Sequence, residues 1–236
     1  MQFDYEELYR RCAEQSESDE QIVGDGYDWI GDVELAVLLK SGLRPTDTLV
    51  DFGCGTGRLA VKVIPVLNGG AYVGIEVARN ILDRAERNVA AACPEPPCAM
   101  QWLHNPGRGF PLDDASVDMI CAFSVFTHLE HEDTYVYLSD ARRVIKPHGR
   151  FVYSCLPLEL DYSQAVFRDE AARVLEDRWA KPRNVATSRE LMDQVARLAG
   201  WEPVRWWRGD KERFGDAPDR QHQLLGQSVC VLEPAY

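Results

Sequence analysis

Short apolar runs alternate along the chain with longer segments whose apolar residues recur at helical spacing. This alternation of strand and helix predicts a parallel sheet covered by helices. The predicted strands are Thr48–Phe52, Tyr72–Val77, Ala99–His104, Val117–Phe123 and Arg150–Cys155. The predicted helices span about Ile30–Ser41, a segment starting near Leu59, Arg79–Cys93 and about Glu132–Ile145.

The last third of the chain follows another order. A helix is predicted from Thr187 to Gly200, opened by a capping box in which Thr187 pairs with Glu190. Two strands follow as an antiparallel pair, Pro203–Trp207 and Ser228–Pro234. We therefore predict an α/β fold with a Rossmann-like, doubly wound, seven-stranded sheet that ends in an antiparallel strand pair. No repeat or low-complexity linker interrupts the sequence, which predicts one domain over residues 1–236.

Composition narrows the classes of function. The chain has 236 residues, 45% of them hydrophobic, and a formal net charge of -12. This acidic balance argues against nucleic acid and anionic membrane as partners. No run is long enough to span a bilayer, and the N-terminus lacks the pattern of a signal peptide. The 7 cysteines are scattered without a C-x-x-C motif, which favours reduced thiols and a cytoplasmic location.

A glycine-rich loop follows the first predicted strand, in "VDFGCGTGRLA" at residues 50–60. Its glycines, Gly53, Gly55 and Gly57, alternate with other residues, and no lysine follows as in the phosphate loop of ATPases. The spacing also matches the dinucleotide fingerprint G-x-G-x-x-G imperfectly. Asp51, ahead of the glycines, suits a positively charged ligand better than a pyrophosphate. The second strand carries Glu76, whose carboxylate can accept both hydroxyls of a ribose from NAD or from S-adenosylmethionine.

The chain resembles the class I S-adenosylmethionine-dependent methyltransferases, in particular those that act on small molecules in bacterial secondary metabolism. The resemblance rests on "VDFGCGTG", "GIEVA", "SVDMICAFSVFTHL" and "ARRVIKPHGRFV". It implies S-adenosylmethionine as cofactor and the following contacts. Glu76 would bind the ribose hydroxyls, and Val77 would pack against the adenine. Phe123 and Ser124 would lie near the sulfonium. The methionine part of the cofactor would be surrounded by Asp51, Gly53, Gly55 and Gly57. Where the family has an acidic residue for the adenine amino group, this chain offers Asn105, whose carbonyl can accept that N–H.

His128 is the candidate catalytic residue. A hydroxyl acceptor must lose its proton during methyl transfer, and a histidine after the fourth strand suits that task. His128 can instead cap or pack against the next helix, and the sequence leaves both interpretations open. His131 is a second and weaker candidate for the general base. If His128 is the base, oxygen is the predicted methyl acceptor, with nitrogen as the alternative.

"HLEHED", at residues 128–133, contains residue types that bind metals. We predict no metal site there, since acidic residues are common in the first turn of a helix.

Two segments are predicted to contact the substrate, a small molecule. Residues 1–29 form a possible lid, and residues 156–186, with Tyr162, Phe167 and Trp179, form a possible substrate-contact insertion. The competing functions are a cofactor-binding relative that does not transfer methyl groups and, with weaker support, an NAD-dependent oxidoreductase. The sequence does not determine the acceptor or the oligomeric state.

Overall fold

The structure is a computed structural model that describes residues 4–174 and 181–236. Strands and helices occur in both of the compact units into which the chain divides, so the predicted α/β class is confirmed. The bounds of these units are Met1–Gly107 with Phe214–Gln223, and Arg108–Arg213 with Leu224–Tyr236.

The first unit contains three parallel strands in the order β3, β2, β1. They are β1 (Thr48–Phe52), β2 (Ala71–Glu76) and β3 (Ala99–His104). Asp51 lies opposite Gly74, and Glu76 lies opposite His104. Because parallel strands point the same way, their carboxyl ends share one edge of the sheet, where ligands bind in folds of this type.

Most helices of the first unit bury apolar residues, as expected of helices that cover a sheet. In the fifth helix, for example, Ile81, Leu82, Ala85 and Val89 are buried. The helices are α1 (Tyr5–Glu14), α2 (Glu20–Val23), α3 (Tyr27–Lys40), α4 (Ala60–Val63) and α5 (Arg79–Ala92), with 3-10 turns at Ile64–Val66 and Arg220–Gln223.

The second unit combines parallel and antiparallel pairing. Strand β4 pairs in parallel with β5, whereas β8 pairs antiparallel with both β5 and β7. The predicted C-terminal antiparallel pair is thus confirmed. The strands are β4 (Val117–Ala122), β5 (Ile145–Pro157), β6 (Ala186–Thr187), β7 (Trp201–Trp207) and β8 (Ser228–Pro234). The helices are α6 (His131–Val144), α7 (Asp161–Ala172) and α8 (Arg189–Leu198).

The described residues contain eight strands rather than the seven predicted. The additional strand, β6, is two residues long and pairs with the end of β5. It contains Thr187, so the predicted capping role of Thr187 is wrong. Ser188 caps α8 instead, since its hydroxyl accepts the Leu191 N–H at 3.1 Å.

Strand β5 also begins earlier than predicted, at Ile145 rather than Arg150. Its pairing with β4 shifts from Val117 opposite Ile145 to Met119 opposite Arg150. The intervening residues form an irregularity that contains Pro147 and Gly149, residue types that read as a turn in the sequence.

Candidate functional site

The glycine loop is tied to the end of β2. The backbone N–H groups of Gly53 and Cys54 donate to the Ile75 carbonyl at 2.8 and 3.1 Å. Gly57 has a φ of +89°, and a Cβ there would lie 3.3 Å from the Ala85 backbone in α5. At Gly55, with φ of +55°, a Cβ would lie 2.7 Å from the side chain of Val23. Both positions therefore require glycine, through backbone conformation and close approach.

Glu76 fixes this loop from the end of β2. Its carboxylate is buried and accepts three backbone N–H groups, from Gly55 at 3.0 Å, Val77 at 2.8 Å and Ala78 at 3.3 Å. Burial raises the pKa of Glu76, while these three hydrogen bonds act in the opposite direction. One oxygen, Oε2, receives a single bond in this set, so it keeps acceptor capacity for a ligand hydroxyl.

Asp51 is buried in the same sheet. The Tyr72 hydroxyl donates to its Oδ2 at 2.8 Å, from the neighbouring strand β2. Tyr72 is itself completely buried. The sheet therefore holds the Asp51 carboxylate in one orientation, two residues before Gly53 in the chain.

Val77 and Asn105, the residues predicted to contact the adenine, lie beside His104. The His104 Nε2 is 3.0 Å from the Val77 carbonyl and 3.0 Å from a carboxylate oxygen of Glu6 in α1. Asn105 donates its backbone N–H to the Glu76 carbonyl at 2.9 Å. The Asn105 side-chain oxygen accepts the N–H of Gly107 at 3.1 Å, in a local turn.

The N-terminal helices pack against these elements. Tyr9, from α1, contacts the cluster of Ala13, Ala78 and Ile81. Burial, and next the negative charge of Glu76, raise the pKa of the Tyr9 phenol. Helix α1 is thus placed beside the carboxylate that is predicted to bind ribose.

A buried ion pair connects α2 and α3 to the glycine loop. The Arg58 guanidinium, directly after Gly57, bonds both carboxylate oxygens of Glu34 and donates to the Val23 carbonyl at 2.7 Å. Arg58 is 8% and Glu34 1% exposed. The Tyr27 hydroxyl also donates a hydrogen bond to the Thr56 carbonyl in the glycine loop, at 3.1 Å.

In the second unit, Phe123 and Ser124 follow β4. Phe123 is buried, whereas Ser124 is half-buried. Ser124 has a φ of +57°, in the left-handed region.

His128 is half-buried and has a defined tautomer. Its Nδ1 lies 2.8 Å from the Arg183 carbonyl. Because a carbonyl only accepts, Nδ1 carries the proton and the neutral ring has its lone pair on Nε2. Burial lowers the pKa of His128, while the Arg183 carbonyl and then the Glu170 carboxylate act to raise it. His131 Nε2, by contrast, lies 3.2 Å from the Thr187 hydroxyl.

Glu170 and Asn184 link α7 to the segment that holds His128. One oxygen of Glu170, Oε1, accepts both the backbone and side-chain N–H groups of Asn184 at 3.0 Å. Val185 donates its N–H to the Thr127 carbonyl at 2.7 Å. Residues 183–185 therefore connect the loop of His128 with α7.

A protein-family model matches part of this chain. Residues 49–149 match the family model described as a methyltransferase domain. Residues 49–149 therefore resemble class I methyltransferases, the class to which the sequence motifs also point. The cofactor of this class is S-adenosylmethionine, as the resemblance in the sequence implied.

Named methyltransferases are similar over part of their length. A 2-phytyl-1,4-naphtoquinone methyltransferase of Trichormus variabilis is 28% identical over 111 residues, which are 47% of each chain. A demethylmenaquinone methyltransferase of Symbiobacterium thermophilum is 26% identical over 163 residues, 68% of this chain and 61% of that one. The chain spans less than half the length of the first curated relatives that it matches.

A solved structure shows the same fold over nearly the whole chain. The magnesium protoporphyrin IX methyltransferase of Synechocystis, with bound SAH, has a TM-score of 0.64 and 14% identity. The match covers 97% of this chain and 94% of that one. The predicted Rossmann-like fold is confirmed by this likeness.

Most of the predicted cofactor residues lie in the first unit. There the structure places Asp51, Gly53, Gly55, Gly57, Glu76, Val77 and Asn105. The second unit contains Phe123, Ser124 and His128. Trp179 lies outside the described residues.

Sequence reasoning missed several residues that support these positions. They are Glu34, Arg58, Tyr72 and Glu170. Local signals exist for Arg58, which directly follows the glycine loop, and for Tyr72, which lies in the predicted second strand four residues before Glu76. Glu34 and Glu170 lie far from the motifs in sequence.

Two searches cover only the described part of the chain. None of its helices has the length and apolar content that crossing a bilayer requires. Within residues 4–174 and 181–236, no three His, Cys, Asp or Glu side chains form a metal-binding group.

Proposed function

We propose that this protein transfers a methyl group from S-adenosylmethionine to a hydroxyl group of a small molecule, with His128 as general base. The observation that carries the cofactor part is the buried Glu76 carboxylate bound to the glycine loop. The observation that supports His128 is its neutral tautomer with the lone pair on Nε2. The quinone methyltransferases among the relatives support a small-molecule acceptor.

The residues of the first unit fit this cofactor. Glu76 Oε2 can accept a ribose hydroxyl, because it receives only the Gly55 N–H among its backbone partners. Side chains at Gly55 and Gly57 would meet Val23 and Ala85, so these glycines allow α2 and α5 to pack closely against the loop. The Asp51 carboxylate supplies negative charge near the loop, as a sulfonium requires. Val77 would pack against the adenine, and Asn105 would accept its amino N–H.

The bound cofactor supplies a methyl group on a positively charged sulfur, which leaves as a neutral thioether. The protein's own contribution is to align the acceptor and remove its proton. His128 Nε2 would take the proton of the acceptor hydroxyl, while Nδ1 keeps its proton on the Arg183 carbonyl. The resulting imidazolium is stabilised by that carbonyl and by the Glu170 charge.

Two segments are proposed to enclose the reaction. Residues 1–29 would cover the cofactor, since α1 and α2 contact the residues around Glu76 and Gly55. Residues 156–186 would contact the acceptor, because α7 is linked through Asn184 to the segment that holds His128. One domain over residues 1–236 is proposed because no repeat or low-complexity linker interrupts the chain, and a cytoplasmic location because the cysteines are scattered. The net charge of -12 supports the proposal that nucleic acid and membrane are not partners.

The test has a binding stage and a turnover stage. Calorimetric titration with S-adenosylhomocysteine and with NAD should show binding of the first alone. The enzyme is then incubated with S-adenosylmethionine and a panel of hydroquinones, phenols and primary amines. Mass spectrometry should detect a hydroxyl product that is heavier by one methyl group. NAD binding without S-adenosylhomocysteine binding would refute the proposed cofactor.

His128→Ala tests the base. We expect a decrease in turnover of about 100-fold or more, the usual contribution of general base catalysis, with S-adenosylhomocysteine affinity retained. His148→Ala, at an exposed histidine of β5, is the matched control. Unchanged turnover of His128→Ala would refute the base. If only amines are methylated and His128→Ala retains activity, the nitrogen alternative replaces the hydroxyl.

A further inference from the structure

Ser124 has a backbone conformation that is unusual for a residue with a side chain. Its φ is +57°, where the Cβ of an L-residue is crowded by the backbone. It lies two residues after the end of β4, in the segment that the resemblance assigns to the sulfonium. Such a conformation persists when neighbouring groups hold it in place.

Three hydrogen bonds hold Ser124 in this conformation. They join Ser124, Ser154 and Gln227 in a closed set that we call the Ser124 ring. The Ser124 N–H donates to Ser154 Oγ at 2.8 Å. Ser154 Oγ donates to Gln227 Oε1 at 2.6 Å, and Gln227 Nε2 donates to Ser124 Oγ at 2.9 Å. Ser154 is completely buried within β5, and Gln227 precedes β8 by one residue.

The chemistry of the ring requires an amide at position 227. Ser154 Oγ uses a lone pair for the Ser124 N–H and its proton for the amide oxygen of Gln227. The amide nitrogen of Gln227 is thereby turned toward Ser124 Oγ. A methionine of similar shape could neither accept from Ser154 nor donate to Ser124, so it would break two of the three bonds.

We infer that Gln227 is a positioning residue for cofactor binding. It holds Ser124 in the left-handed conformation and so sets the course of the backbone after β4. Ser124 would contact the cofactor, and Gln227 acts through Ser124 and Ser154. The inference rests on the proposed function, since it takes the segment after β4 as part of the cofactor site.

The test is a double-mutant cycle on S-adenosylhomocysteine affinity, measured by calorimetry. Gln227→Met should weaken binding about 5- to 10-fold, as expected for the loss of one or two hydrogen bonds. Ser124→Gly removes the need for the ring, because glycine adopts a positive φ without steric cost. In the Ser124→Gly background, Gln227→Met should therefore change affinity by less than about 2-fold.

A merely structural role for Gln227 gives a different result. It would weaken binding equally in both backgrounds, and that outcome overturns the inference, as does unchanged affinity in Gln227→Met alone. Gln223→Met is the matched control, because the Gln223 amide donates to the Ala217 carbonyl in the same β7–β8 connection. This control should bind like the wild type.

A variant that fails to fold and a wild type that fails to bind S-adenosylhomocysteine can be told apart. If Gln227→Met fails to fold, Ser154→Ala removes the acceptor of the Ser124 N–H and should show the same loss and the same rescue by Ser124→Gly. If the wild type itself does not bind S-adenosylhomocysteine, the proposed function fails and the inference falls with it. Wild-type binding with no effect of either variant overturns the inference alone.

Discussion

Replacement of Glu76 by glutamine tests the cofactor site most directly. The Glu76 carboxylate accepts the N–H groups of Val77 and Ala78 on Oε1 and that of Gly55 on Oε2. Glutamine has the same shape but only one oxygen. If that oxygen faces Val77 and Ala78, the amide nitrogen faces the Gly55 N–H, and two donors meet where a 3.0 Å hydrogen bond existed.

The magnitude follows from these contacts. A hydrogen bond to a charged acceptor contributes about 1.5–3 kcal/mol, so losing the ribose contact on Oε2 should weaken binding about 10- to 150-fold. The unsatisfied Gly55 N–H should also destabilise the fold by about 1–3 kcal/mol. For a chain of this length, the melting temperature should fall by about 2–4 °C for each kcal/mol.

Calorimetric titration with S-adenosylhomocysteine measures the first effect, and thermal unfolding followed by circular dichroism measures the second. Glu86→Gln is the matched control, since its side chain is 39% exposed and pairs with Arg79 on the surface of α5. The control should change neither quantity appreciably, because exposed ion pairs contribute little. If Glu76→Gln binds S-adenosylhomocysteine within 2-fold of the wild type, the ribose assignment is wrong.

The remaining predictions concern buried charges. Glu34→Gln leaves the Arg58 guanidinium buried without its counter-charge, and should lower the free energy of unfolding in urea by about 3–5 kcal/mol. The exposed control Asp32→Asn should have little effect, and equal effects would contradict this reading of the ion pair. The acid limb of kcat/KM should lie below pH 6.5, because burial lowers the pKa of His128 and the base must be neutral. Glu170→Gln removes a charge that raises this pKa, so the limb should move to lower pH; movement to higher pH would refute the arrangement.

The features predicted correctly from the sequence have local causes. The position of the glycine loop after β1 and that of Glu76 at the end of β2 depend on residues close by in the chain. The apolar runs of the strands, such as Thr48–Phe52, are likewise local patterns. Motif and periodicity therefore predicted the first unit's sheet and its glycine loop.

Partners that come from distant segments could not be predicted in this way. Ser124 and Gln227 are 103 positions apart, and Arg58 and Glu34 are 24 apart on different elements. Their pairing depends on how loops and helices pack, which no local pattern encodes. Tertiary pairing also explains the error at Thr187, because β6 takes this residue into the sheet and leaves the cap to Ser188.

The proposed role of Ser124 depends on such distant contacts. A left-handed backbone costs a residue with a side chain roughly 1–2 kcal/mol, and nothing in the local sequence after β4 announces it. Ala115, which precedes β4, also has a positive φ of +48°, and its backbone N–H donates to the Arg143 carbonyl. A positive φ alone therefore does not mark a functional position. The difference is that Ser124 is held by the side chains of Ser154 and Gln227. Strained backbone with dedicated side-chain support is common at ligand sites, and this is the reason for proposing that Ser124 contacts the cofactor.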